Sequence, residues 1–85
     1  MIIEKVQVKN KIGLHARPAT LFVSEAKDFK SSIRIKLGDK EINGKSILEV
    51  LTLGANCGSV IEIIADGEDE KQAIDALRSI VDSDE

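Results

Sequence analysis

The chain holds a single histidine, and the residues around it are those whose types and spacing can do chemistry. Gly13-Leu14-His15-Ala16-Arg17-Pro18 places His15 where a strand-like segment hands over to a helix, and the missing N–H of Pro18 costs nothing in a first helical turn. There the orphan backbone N–H groups of Ala16 and Arg17, with the positive end of the helix dipole, make an anion site beside the ring. Arg17 adds a guanidinium that can grip phosphoryl oxygens through two hydrogen bonds. The same positive surroundings favour the neutral, nucleophilic imidazole, so the constellation suits a phosphoryl acceptor at His15. A blander reading stands beside it: His15 as a simple N-cap, Arg17 as a solvated side chain, and the chain as a non-phosphorylated interaction module. A lone imidazole with no partnering base, metal or deep pocket has little machinery for turnover, so an independent enzyme is not expected.

A second candidate lies thirty residues on. Ser46-Ile47-Leu48-Glu49 is an S-x-x-E capping box at the start of a short helix, with Ile47, Val50 and Leu51 as its apolar side.

The elements that must position these residues follow from hydrophobic spacing. Residues 2–9 put Val6 and Val8 on one face and Lys5, Gln7 and Lys9 on the other, which predicts a half-buried strand. Ala19, Phe22, Val23 and Ala26 form one stripe of a helix over about 16–27. Ile33, Ile35 and Leu37 alternate with charged residues, and Gly38-Asp39 turns that strand into an antiparallel one at Lys40–Asn43. After the short helix, Gly54 and Gly58 turn the chain into a strand at Val60–Ala65. Asp69-x-x-Gln72 then offers an N-terminal cap for a helix carrying Ala73, Ile74, Leu77, Ile80 and Val81. The acidic tail, Asp82-Ser83-Asp84-Glu85, is expected to fray. One-sided helices alternating with half-polar strands imply two layers, an α+β fold with a four-stranded sheet and three helices on one face, in the order β-α-β-β-α-β-α.

Composition bounds the alternatives. Eighty-five residues leave room for a single domain spanning 1–85. With 42% hydrophobic and 32% charged residues and no apolar run near the ~18 of a spanning helix, neither disorder nor membrane insertion fits. One cysteine, Cys57, cannot close an internal disulfide, and with one histidine it is too few for a structural zinc site. No cofactor or metal is implied. A net charge of -3 and only two aromatics argue against nucleic acid. The first residues lack the features of a signal peptide, so the expected location is cytoplasmic.

The segment Gly13-Leu14-His15-Ala16-Arg17-Pro18-Ala19 resembles the active-site signature of HPr, the histidine-containing phosphocarrier family of the bacterial phosphotransferase system. Lys45-Ser46-Ile47 with Leu53-Gly54 and Gly58 is similar to the family's second signature, and the likeness in length and element order spans nearly the whole chain. The family fold is an open-faced β-sandwich with an antiparallel sheet, in accord with the two layers above. The resemblance implies that His15 accepts a phosphoryl group on Nδ1 from phosphorylated enzyme I, itself charged by phosphoenolpyruvate. His15 then passes the group to enzyme IIA of sugar transporters. Arg17 would stabilise the phosphate and the backbone N–H groups of Ala16 and Arg17 would cradle it. Ala19, Thr20, Ile47, Leu48 and Leu51 become candidates for a shared partner surface, with Leu48 and Leu51 equally readable as core. The resemblance further implies regulatory phosphorylation of Ser46 by an HPr kinase/phosphorylase, a catabolite-control transcription regulator as a further partner, and a monomer. A carrier of the nitrogen-related branch or a regulatory paralogue remains an alternative. Three positions depart from the family's usual pattern: Ile12, where a small polar residue is common, Glu49, where a small one is frequent, and Val60, where an acidic one is common. A carboxylate at Glu49, one turn from Ser46, is expected to weaken a kinase or an acidic partner.

Overall fold

The computed structural model describes residues 1–11 and 13–82. Ile12 and the tail residues Ser83, Asp84 and Glu85, for which the sequence carries expectations, lie outside the described residues. The strands are β1 (Ile2–Gln7), β2 (Ser32–Leu37), β3 (Lys40–Asn43) and β4 (Val60–Asp66); the helices are α1 (Ala16–Ala26), α2 (Ile47–Thr52) and α3 (Glu70–Val81). They follow in the order βαββαβα, as the spacing predicts.

The sheet runs β1-β4-β2-β3 and every pair is antiparallel. The last strand is therefore inserted between the first and second. Because side chains alternate along a strand, Val6, Ile33, Ile35, Ile42, Ile61, Ile63 and Ala65 all fall on the helix side and are buried. Phe22, Val23 and Ala26 of α1 and Ala73, Ile74, Leu77 and Val81 of α3 close over them. Phe22 is fully buried, a burial worth roughly 1.5–3 kcal/mol of transfer free energy. On the opposite face Ile3, Lys5, Gln7 and Arg34 are exposed, so the sandwich is open on that side. Its cross-strand neighbours include Lys5 opposite Glu62 and Arg34 bonded to Glu41 at 2.6 Å.

Strand β1 ends two residues earlier than its alternating pattern suggests, yet the pairing continues. Val8 donates to Ser59 O at 2.8 Å and accepts from Gly58 N at 2.8 Å. Asp82 is not part of a fraying tail: its carboxylate meets Lys9 Nζ at 2.8 Å and its N–H caps α3 by donating to Arg78 O at 2.9 Å.

Asp69 also departs from expectation. It sits at the N-cap of α3, but its side chain makes no capping bond there. Its carboxylate instead accepts from the Ser31 hydroxyl at 2.6 Å, from Ser31 N at 3.0 Å and from Lys30 N at 2.9 Å. Three donors presented by the turn between α1 and β2 outcompete a local cap, and Glu70 takes over the local role by accepting from Gly67 N at 3.1 Å. The clamp holds the carboxyl at about 2, below its ordinary 3.8, foremost through the Ser31 hydroxyl and then the Lys30 N–H. A depressed folded-state value contributes stability above the unfolded value, and that contribution is lost as pH falls through the folded one. Asp69→Asn should therefore lower the urea midpoint at neutral pH, and the gap to the parent chain should close as pH falls from 3.8 to about 2. A gap that stays constant over that range would contradict the clamp.

Candidate functional site

The loop carrying His15 is held from both sides by backbone. Gly13 N donates to Asn10 O at 3.0 Å, Leu14 N to Ala55 O at 3.0 Å, and His15 N to Gly13 O at 2.9 Å. Gly13 adopts φ of 86°, and a Cβ built there would lie 2.3 Å from Ala55 O and 2.8 Å from the Asn56 Cα. Only glycine fits both the conformation and the space. Leu14 is buried beneath the loop, so the next residue emerges at the surface with its backbone already oriented.

His15 occupies the N-cap position of α1 in an extended conformation, and its carbonyl accepts the first helical bond from Ala19 N at 2.9 Å. Its ring makes no capping bond. His15 is thus the N-cap by backbone position, as the simpler reading has it, while its side chain takes no part in the cap and stays half-exposed. Pro18 has no N–H, and the helical ladder begins at Ala19. This leaves the N–H groups of Ala16 and Arg17 as the two unbonded donors of the first turn among the described residues. No acidic residue lies in that turn. Arg17 is exposed and enters no ion pair among the described residues. The start of an 11-residue helix thus carries the ring of His15, two N–H donors and, two residues on, an Arg17 side chain in no ion pair among the described residues, a set of groups that suits an anion.

The second signature reaches this site through the chain. Leu53 caps the C-terminus of α2, Gly54 turns with φ of 75°, and Ala55 O receives Leu14 N. Ser46 lies at the opposite end of α2, about 9 Å along a six-residue helix. His15, Ala16 and Arg17 are consecutive at the start of α1, while Ser46 stands at the start of α2.

At Ser46 the hydroxyl caps α2 by accepting from Glu49 N at 3.4 Å. The reciprocal arm of the expected capping box does not form. The Glu49 carboxylate accepts from Asn43 N at 3.1 Å instead, because the turn after β3 leaves that donor facing the helix and Ser46 N is already bonded to Asn43 O.

Among the residues expected at a partner surface, Ala19 is corrected outright. It is fully buried, on the stripe with Phe22, Val23 and Ala26 that faces the sheet. Thr20 is exposed, with its hydroxyl donating to Ala16 O at 2.6 Å. Leu48 and Leu51 prove to be surface rather than core, at 74% and 43% exposure, while Ile47 is half-buried. Leu21, which the sequence reading passed over, is 54% exposed on α1. The signal was present: Leu21 falls outside the i, i+3, i+4 stripe, and a large apolar residue off the core face is a surface feature. Between α1 and α2 runs a groove of about 300 Å³ lined by Thr20, Val23, Ser24, Lys27 and Ile47. Among the described residues no cluster of His, Cys, Asp and Glu is placed to hold a metal, and no helix is long and apolar enough to cross a membrane.

The loop geometry makes one substitution decisive. Gly13→Ala should destabilise the fold by about 1–3 kcal/mol through the positive φ and the contact with Ala55, displacing the His15 loop. Urea unfolding measures the loss, and an unchanged midpoint would show that the loop does not depend on this approach.

Residues 2–83 match the family described as the PTS HPr component phosphorylation site. The HPr-like protein Crh of Halalkalibacterium halodurans is 43% identical, over 99% of this chain and 100% of its own. The phosphocarrier protein HPr of Neisseria meningitidis is 40% identical, over 95% of this chain and 91% of its own. The crystal structure of HPr from Thermoanaerobacter tengcongensis superposes with a TM-score of 0.93 at 43% identity, covering 98% of this chain and 93% of that one. With a β-α-β-β-α-β-α sandwich and the histidine signature both in place, the chain belongs to the HPr family.

Proposed function

We propose that this chain is a phosphocarrier of the sugar phosphotransferase system. His15 accepts a phosphoryl group on Nδ1 from phosphorylated enzyme I and donates it to an enzyme IIA domain. The observation that carries this reading is the uncapped ring of His15 beside the two unbonded N–H groups and Arg17 at the start of α1. In the accepting step the Nδ1 lone pair forms the new N–P bond as the bond to enzyme I breaks. The phosphoryl oxygens are then met by Ala16 N–H, Arg17 N–H and the Arg17 guanidinium. Donation to the IIA domain reverses these events. No base of the chain is required, because each partner supplies its own reacting group.

The partner face comprises Thr20, Ile47, Leu48 and Leu51, with Leu21 added and Ala19 removed, since large exposed apolar side chains on two packed helices suit transient docking. Ser46 is the regulatory site for an HPr kinase/phosphorylase, and its phosphorylated form is read by a catabolite-control transcription regulator. The separation of Ser46 from His15 along α2 supports inhibition through the docking face rather than through contact with the ring.

A second reading, a regulatory HPr paralogue, is favoured by the likeness to Crh. Crh of Bacillus subtilis, whose crystal structure is described as a swapped dimer, is 42% identical with a TM-score of 0.77. The presence of His15 and Arg17 together favours the carrier.

Incubation with phosphoenolpyruvate and enzyme I separates the two. The expected result is an acid-labile adduct of about 80 Da, one phosphoryl group, that is absent from His15→Ala. No adduct under conditions where enzyme I charges another HPr would defeat the carrier reading and leave the regulatory one. Arg17→Ala should slow transfer by about 10- to 100-fold, the loss of charge-assisted hydrogen bonds worth about 1.5–3 kcal/mol. Quenched-flow transfer rates would check this.

A further inference from the structure

We infer that Glu49 is a specificity-determining residue that opposes a second negative charge at Ser46 and so sets how readily this chain is phosphorylated there. The inference rests on the reading of Ser46 as a phosphorylation site. Its physical basis is the charge distribution around the start of α2.

Glu49 is tied through its N–H to Ser46 and through its carboxylate to the turn before it. Its N–H donates to Ser46 Oγ at 3.4 Å, and its carboxylate is turned back onto Asn43 N at 3.1 Å, in the same turn that delivers Ser46. That turn is tied internally, with Lys45 N donating to Asn43 Oδ1 at 2.9 Å and Ser46 N to Asn43 O at 3.2 Å. The carboxylate, on an exposed side chain three residues after Ser46, is therefore tied to the same turn that delivers the serine.

The two lysines of this region are bonded to carbonyl groups and neither is paired with Glu49. Lys45, adjacent to Ser46 in sequence, sends its ammonium to Phe29 O at 2.8 Å, and Lys40 donates to Thr52 O at the far end of the helix. Glu49 enters no ion pair among the described residues.

Phosphorylation would join Ser46 Oγ to the γ-phosphorus of ATP as the bridging bond to ADP breaks. The hydroxyl proton would pass to the kinase, and the product would carry about two negative charges at neutral pH. Those charges would arrive beside the Glu49 carboxylate, and the Glu49 N–H that now meets the serine oxygen would be asked to serve both. Like charges three or four residues apart on a helix are unfavourable, and a doubly charged group enlarges the effect. Glu49→Gln isolates the charge, because its amide oxygen still accepts from Asn43 N.

Two measurements test this. An HPr kinase/phosphorylase with ATP should phosphorylate Ser46 about two- to fivefold faster in Glu49→Gln than in the parent chain, and the difference should shrink as salt is added. Equal rates would overturn the inference. Independently of any kinase, a stability cycle of Ser46→Asp with Glu49→Gln should show that Ser46→Asp lowers the urea midpoint more when Glu49 is present. A cycle with no coupling would overturn the inference as well. If the kinase modifies neither chain while the cycle shows repulsion, the Ser46 reading fails and the role of Glu49 in opposing charge at that position stands.

Discussion

The pairing of β1 with β4 is the constraint on which the rest of the molecule depends. It joins residues 53 to 63 positions apart, from Ile2 opposite Ala65 to Gln7 opposite Val60, and it is continued beyond the strands by the bonds between Val8 and the 58–59 turn. Once that ladder is formed, the segment leaving β1 and the segment entering β4 must lie side by side. Leu14 N can then reach Ala55 O, and Gly13 must pass close over Ala55 and Asn56. The surface position of His15 is thus a consequence of sheet order. Contacts of such high sequence separation form at the cost of loop-closure entropy, and the site inherits their cooperativity.

The site itself needs little. A group that receives phosphate from one protein and surrenders it to another must be open on one side and must hold the anion without trapping it. Two backbone donors and an exposed arginine at a helix end suit that requirement better than an enclosing pocket would, because the backbone donors are already oriented by the helix and the site stays open to solvent. The absence of an acidic residue from the first turn of α1 keeps the helix end positive.

The same short helix contributes at both of its ends in different ways. Through Leu53 and Gly54 its C-terminus reaches the loop that supports His15, while its N-terminus carries Ser46 and Glu49. Lys45, just before the helix, donates to Phe29 O, and Thr52 O at its C-terminal end accepts from Lys40 of β3. Ser46 therefore belongs to an element joined through Leu53, Gly54 and Ala55 to the His15 loop, and α2 exposes Leu48 and Leu51 between its two ends.

Much of this was legible in the chain itself. Alternation at Ile33 and Ile35 and the stripe of Ala19, Phe22, Val23 and Ala26 determine strand and helix because side-chain period is a local property. The seven residues from Gly13 to Ala19 likewise carry the chemistry of the site in their types and order. What the chain could not decide alone is which donor each polar group finds. Asp69 and Glu49 both sit at positions that read as local caps, yet Asp69 is taken by Ser31 and Lys30, and Glu49 by Asn43. Period put Ala19 on the buried stripe of α1, but it left Leu48 and Leu51 readable as either core or surface, since a six-residue helix has under two turns and the neighbours that would bury it come from elsewhere. Local patterning determined the elements and the family signature; tertiary packing alone decided hydrogen-bond partners and exposure, because both depend on groups brought together from distant parts of the chain.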